Sequence, residues 1–233
     1  MNGGDGGDGR MKENSRWDAF YANTQTTPPW ESDLPFSHLP ALPYITENTG
    51  MAVIELGCGA SASAVFLAEK GHSVVGVDVS PNALERARML YPDSSVRWEE
   101  GDILDDGWRA CHAGKYEFVL DIQVFHVLRL SAEAEITSLI SDLLVPGGMA
   151  MVVAGADTSD IPEVEDEPVL DPGPPMMTKS ALIQSFATHA PGLSVVSITL
   201  SRFNQTPDYA ARASRPPRCW VALFQRDLPS LSE

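Results

Sequence analysis

Four short stretches set acids beside small or apolar residues in a pattern that suits the binding of a nucleoside. They are Glu55 with Gly57-Cys58-Gly59, Asp78-Val79, Gly101-Asp102-Ile103 and Asp121-Ile122-Gln123. Glycines let a backbone approach a ligand closely and take positive φ without a side-chain penalty. Asp78 follows the glycines at about twenty residues, the spacing at which an acid reaches both hydroxyls of a ribose. Asp102 is of a type to accept from an exocyclic adenine amino group, with Ile103 as an apolar wall against the ring. The glycine turn holds neither Lys nor Arg, and the dinucleotide fingerprint G-x-G-x-x-G is broken at its third glycine by Ala62. A pyrophosphate would find no positive charge there, so a cationic, phosphate-free adenosine derivative is the better fit.

These residues can converge only if strands carry them. MAVIEL (51–56), SVVGVDV (73–79), 96–100, YEFVLDI (116–122) and MAMVVAG (149–155) read as continuous apolar strands. Helices are expected over 61–70, from Ser80-Pro81 to about Leu90, over 131–144 and over 179–189. Ser80 is a good N-cap and Pro81 suits the first helical position. SVVSITLSRF (194–203) and CWVALFQR (219–226) are two further strands without room for a crossover helix between them, hence antiparallel. The fold class is thus α/β: a Rossmann-like, seven-stranded, mostly parallel sheet with its last strand antiparallel, helices on both faces and an N-terminal cap segment. The expected organisation is a disordered Gly/Asp-rich tail (1–15), the cap (16–45), the main domain (46–228) and a short C-terminal tail (229–233). In an open parallel sheet, ligands bind beyond the carboxyl ends of the strands, which is where every acid named above falls.

Bulk properties narrow the function class. A chain of 233 residues with 43% hydrophobic content can bury a full core without staples. The three cysteines, Cys58, Cys111 and Cys219, form no C-x-x-C pair, which argues against a zinc site or a disulfide framework and suits a reducing compartment. No metal site is expected. A net charge of −16 disfavours nucleic acid as a partner, because that affinity rests on Lys and Arg neutralising phosphates. No apolar stretch is long enough for a membrane span. A soluble, cytoplasmic monomer acting on a small molecule is the expectation.

The ordered set E-L-G-C-G, V-D-V-S, G-D-I-L, D-I-Q after the fourth strand and L-V-P-G-G-M resembles the motifs of class I S-adenosylmethionine-dependent methyltransferases, over roughly residues 50–155. That resemblance implies S-adenosyl-L-methionine as cofactor. Gly57, Cys58 and Gly59 would pass its methionine part, with Glu55 beside them. Asp78 and Val79 would take the ribose, Asp102 and Ile103 the adenine, and Asp121 or Gln123 would face the methionine ammonium or the acceptor. W-D-x-x-Y (17–21), P-P-W-E (28–31), F-H-V-L (125–128) and G-P-P (173–175) are most similar to the thiopurine and thiol (halide) methyltransferase group, in which a cap Trp, here Trp30, packs over the cofactor. Ser61 stands where a third motif glycine is common. The expected reaction is in-line methyl transfer to a thiol or other soft nucleophile. Two alternatives stay open: an O- or N-methyltransferase with His126 or Asp121 as catalytic base, and a non-catalytic S-adenosylmethionine-binding module. A nicotinamide dehydrogenase fits the glycine turn less well.

Each candidate also has a plainer role. Asp78 could cap a helix, Asp102 could form an Asx-turn, and Asp121 and Gln123 could satisfy backbone groups at a strand end. His126, between Phe125 and Val127, could be a packed core histidine, and Trp30 part of an aromatic core. Cys58 reads as a small filler rather than a nucleophile. The acidic loop 156–177 is either a solvated charge run or a lid. Arg202, Arg212, Arg215 and Arg218 belong to a solvated connection or reach an anionic substrate group.

Overall fold

The structure is a computed structural model that describes residues 15–22, 27–161, 164, 175–206, 211 and 215–229. The Gly/Asp tail before Ser15, most of the acidic loop, G-P-P up to Pro174, and Arg212 lie outside the described residues. Residues 15–22 are helical (α1). A 3-10 turn, Leu39–Ala41, leads into α2 (Pro43–Thr46), β1 (Ala52–Leu56), α3 (Ala62–Glu69), β2 (Ser73–Asp78), α4 (Pro81–Leu90), β3 (Arg97–Glu100) and α5 (Asp106–His112). Then come β4 (Tyr116–Ile122), α6 (Val124–Leu143), β5 (Leu144–Gly155), α7 (Lys179–His189), β6 (Leu193–Arg202) and β7 (Arg218–Arg226).

The seven strands form one sheet in the order β3-β2-β1-β4-β5-β7-β6. β7 runs antiparallel to both of its neighbours, β5 and β6, while the other pairs are parallel. This is the expected fold class. The strand order turns back between β1 and β4, so the ligand crevice of such a sheet opens at their carboxyl ends, beside Glu55 and Asp121.

Strand alternation divides the apolar residues between two layers. Ile54 and Leu56 face a core with Phe125, Ile136 and Ile140 of α6, Leu182 and Phe186 of α7, and Trp220. Val53 faces the other core with Leu39, Ile45, Leu67 of α3, Phe118 and Val221. Burial on both faces explains why these strands read as near-continuous apolar runs.

Several elements differ from the sequence reading, among them the short helical turns at Leu39–Ala41 and Pro43–Thr46 in the cap. α6 begins at Val124 rather than Ser131, and a kink at Ala132 (φ −147°, ψ 46°) divides it, so the expected helix is its second part. β5 begins at Leu144, upstream of Met149, because Leu144 pairs with Tyr116 and V-P-G-G forms an irregularity before the ladder resumes at Phe118 and Met149. α5 was not expected: DGWRACH is short and lacks an apolar period, and it folds because Asp105 accepts from Trp108 N and caps it. Among the described residues, no helix is long and apolar enough to cross a membrane.

Candidate functional site

The glycine turn is braced from both sides. Cys58 N donates to Val77 O (2.9 Å), and Gly59 N donates to Asp78 Oδ2 (2.8 Å). Gly57 and Gly59 have φ of +51° and +54°. A Cβ on Gly57 would run into Val124 Cγ2, and one on Gly59 would lie 2.5 Å from Tyr21 Oη. Both glycines are therefore required by backbone conformation and by close neighbours. The third position needs none. Ser61 caps α3 by accepting from Ala64 N (3.0 Å) and donates to Glu55 Oε2 (2.6 Å), two tasks a glycine could not perform.

Three carboxylates stand at adjacent strand ends. Glu55 is 3% exposed, and burial, with Asp121 and Asp78 adding repulsion, pushes its pKa up to about 8. Asp121 is fully buried and pushed up to about 7 by that burial, even though both oxygens accept from Phe125 N (3.1 and 2.9 Å). Asp78 is also raised by burial, against the opposing pull of backbone N–H donors at Ser80 and Gly59. None of the three pairs with Lys or Arg among the described residues. A concentration of buried negative charge without a cation is unfavourable on its own and suits a ligand that brings positive charge. Asp78 Oδ1 accepts from Ser80 N (2.9 Å), while the cap of α4 is Ser80 itself, whose Oγ accepts from Ala83 N. Asp78 thus takes backbone amide donors on both oxygens and, with two lone pairs on each, keeps capacity for a hydroxyl. Val79, half-buried, follows at the edge of the crevice.

Asp102 Oδ1 accepts from Leu104 N (2.9 Å), an Asx-turn that presents Ile103, which is buried. Gly101 ties this turn to β2 through Gly101 N donating to Asp78 O (3.0 Å). A Cβ on Gly101 would meet Trp108 Nε1 at 2.7 Å. Trp108 donates to Glu99 Oε1 (2.9 Å) and stacks on His112, with ring centroids 4.0 Å apart, and His112 Nδ1 lies 2.6 Å from Tyr116 Oη. This cluster, which the sequence reading missed, holds the turn from behind.

Gln123 is the only non-glycine residue with positive φ (73°) among the described residues. Its N–H donates to Val153 O (2.9 Å), and the left-handed step turns the chain sharply from β4 into α6. That turn sets Val124 against Gly57 and places His126, 2% exposed, beside Gly155, where a Cβ would lie 3.0 Å from His126 Nε2. Met176 Sδ crowds the same glycine.

The cap closes over this floor. Trp30 Nε1 donates to Tyr21 Oη (3.1 Å), and Trp30 meets Trp17, Phe20 and Tyr21 edge-on. Tyr21 is buried, which pushes its phenol well above the usual range. Asp18 accepts from Ser80 Oγ (2.7 Å) and Asn82 Nδ2 (2.9 Å), and Arg86 grips Glu31 through Nε and Nη2 (2.7 and 2.6 Å). Trp30 thus belongs to the aromatic cap, but the residue touching the glycine turn is Tyr21. W-D-x-x-Y was the signal available for it. Cys58 is buried with its thiol pushed well above its ordinary value, first by desolvation and then by Asp78 and Glu55, as suits a filler. Among the described residues, no group of three His, Cys, Asp or Glu is placed to hold a metal.

Residues 53–148 match the methyltransferase domain family. Over 121 residues the chain is 26% identical to the 2-heptyl-1-hydroxyquinolin-4(1H)-one methyltransferase of Mycobacteroides abscessus, covering 52% of this chain and 53% of that protein. The chain thus spans about half the length of the curated relatives it matches. Among solved structures, one from work on the conversion of a disulfide bond into a thioacetal group during echinomycin biosynthesis superposes with a TM-score of 0.72 at 22% identity, over 93% of this chain and 94% of that one. The 1,6-didemethyltoxoflavin-N1-methyltransferase of Burkholderia thailandensis, solved with S-adenosylhomocysteine, gives 0.67 at 15% identity, over 97% and 92% of the two chains. The fold is that of S-adenosylmethionine-dependent methyltransferases.

Proposed function

We propose that this chain, with a methyltransferase domain at 53–148 and that fold throughout, is a class I enzyme that transfers the sulfonium methyl of S-adenosyl-L-methionine to a small molecule. The observation that carries the reading is the trio Glu55, Asp78 and Asp121, buried without a cation around a glycine turn that cannot accept a Cβ. This donor set fits a cofactor carrying an ammonium and a sulfonium. The cofactor supplies an activated methyl on a good leaving sulfur. Asp78 would accept from the ribose hydroxyls, Asp102 and Ile103 would frame the adenine, and Gly57 and Gly59 leave room for the methionine part. Glu55 and Asp121 would supply negative charge once a bound cation draws off the protons that burial holds on them, and Tyr21 and Trp30 exclude water from above. Calorimetric titration with S-adenosylmethionine, S-adenosylhomocysteine and NAD tests this: micromolar binding of the first two is expected, and no binding of either at millimolar concentration would sink it.

The acceptor in this reading is a thiol or another soft nucleophile, as in the thiopurine and thiol group, and the enzyme works as a cytoplasmic monomer without nucleic acid or membrane. Two features support a reaction that depends on alignment rather than on a base. Asp121 already accepts from Phe125 N, and His126 is packed against Gly155. The second reading, O- or N-methylation with His126 or Asp121 as base, predicts a loss of orders of magnitude in kcat for His126→Ala or Asp121→Asn. The first predicts little change in kcat for His126→Ala, with a cofactor-consumption assay over thiols, halides and phenols as the readout.

A further inference from the structure

Arg129 is a cation that nothing in the site so far uses. It lies on α6 one turn beyond His126, a spacing that puts the two side chains on the same face. Its Cα stands about 7–8 Å along the helix axis from Val124, the residue against Gly57. The side chain is half-buried, and one N–H donates to Pro175 O, in the segment whose Met176 crowds Gly155. Its Nε is buried without a hydrogen-bond partner, and the guanidinium has no ion pair among the described residues. Desolvation lowers its pKa, opposed only by Glu133 on the next turn. In a chain with 32 acids and 16 Lys and Arg, a guanidinium left without a carboxylate is an expensive arrangement.

We infer that Arg129 recognises a carboxylate on the methyl acceptor, held at the wall where α6 meets the segment 175–177. A guanidinium offers several N–H groups in a plane that matches the two oxygens of a carboxylate, and Pro175 takes a single one. His126, one turn back on the same face, lies against Gly155 at the carboxyl end of β5, next to the carboxyl end of β4, so an acceptor anchored on Arg129 has its nucleophile on the side of the strand ends where the methyl would stand. This rests on the methyl-transfer reading and adds the charge of the acceptor to it.

The test uses the full chain saturated with S-adenosylhomocysteine and compares, by calorimetry, thiosalicylate with its neutral amide, 2-mercaptobenzamide. Wild type should prefer the carboxylate by about 10–100-fold, the worth of a charge-assisted hydrogen bond. Arg129→Gln should bring the two to parity with S-adenosylhomocysteine affinity unchanged, and Arg129→Lys, which keeps the charge but loses the fork, should fall between. A residue that merely pins Pro175 would leave the ratio alone. Parity in wild type, a ratio that survives Arg129→Gln, or no binding of thiosalicylate at 10 mM would each overturn the inference. Should Arg129→Gln fail to fold, an undiminished ratio in Arg129→Lys would overturn it. Failure to bind S-adenosylhomocysteine would instead sink the methyl-transfer reading, and the ratio is then read on the ligand-free protein, where parity again overturns the inference.

Discussion

Glu55→Gln should make the ligand-free protein more stable at alkaline pH, and by an amount that grows with pH. The folded protein holds the Glu55 proton up to about pH 8, against an ordinary value of 4.5. A raised carboxyl pKa means the folded state binds the proton more tightly than the unfolded chain does. Stability from this group is therefore fully present below pH 4.5 and is lost as pH rises toward 8. At about 1.4 kcal/mol for each pH unit between the two values, the loss is on the order of 3–5 kcal/mol. Gln keeps the shape and still accepts from Ser61 Oγ, but has no proton to lose. Urea denaturation of ligand-free wild type and Glu55→Gln at half-unit steps from pH 5 to 8.5 reads the difference. The variant should match wild type within about 1 kcal/mol at pH 5 and exceed it by most of that 3–5 kcal/mol at pH 8.5. Parallel curves would refute the claim that a buried, uncompensated carboxyl stands at the end of β1.

Gly59→Ala forces a Cβ into the left-handed region and to 2.5 Å from Tyr21 Oη. It should cost at least about 1–2 kcal/mol and lower cofactor affinity, as melting curves and calorimetry would show. Ser61→Ala removes the cap of α3 and the partner of Glu55; a loss of about 1 kcal/mol is expected by denaturation. Trp108→Phe keeps the stack on His112 but drops the bond to Glu99. It should cost about 1 kcal/mol and weaken S-adenosylhomocysteine more than S-inosylhomocysteine, because Trp108 backs the turn assigned to the base.

The sheet was legible because most of its strands read as apolar runs, and β1, β2 and β4 carry an acid at or one residue before their carboxyl ends, which is local information. Glu55, Asp78, Asp102 and Asp121 could be placed together from strand ends alone. What stayed hidden depends on partners far along the chain. Tyr21 reaches the glycine turn only because Asp18 is bound by Ser80 and Asn82, and Glu31 by Arg86. The start of α6 was missed because Gln123 takes a conformation usually left to glycine and Asp121, on the preceding strand, accepts from its first-turn amide. Asp102 shows why type alone does not settle role: its Oδ1 forms the turn, and that turn presents Ile103.

The position of β7 between β5 and β6 has a consequence for how the chain assembles. β6 is made first but has no partner on the growing sheet, since its ladder runs only to β7. Until β7 emerges, the outer edge of β5 stays open while its other side is already paired with β4. The apolar residues Val221, Ala222 and Leu223 must then pair with β5 on one side and β6 on the other, and the β5 pairing joins segments far apart in the chain, a slow kind of closure. For that interval the nascent protein carries an exposed strand edge, the feature most prone to pairing with another chain. A stall or cut before Arg218 would make that interval permanent.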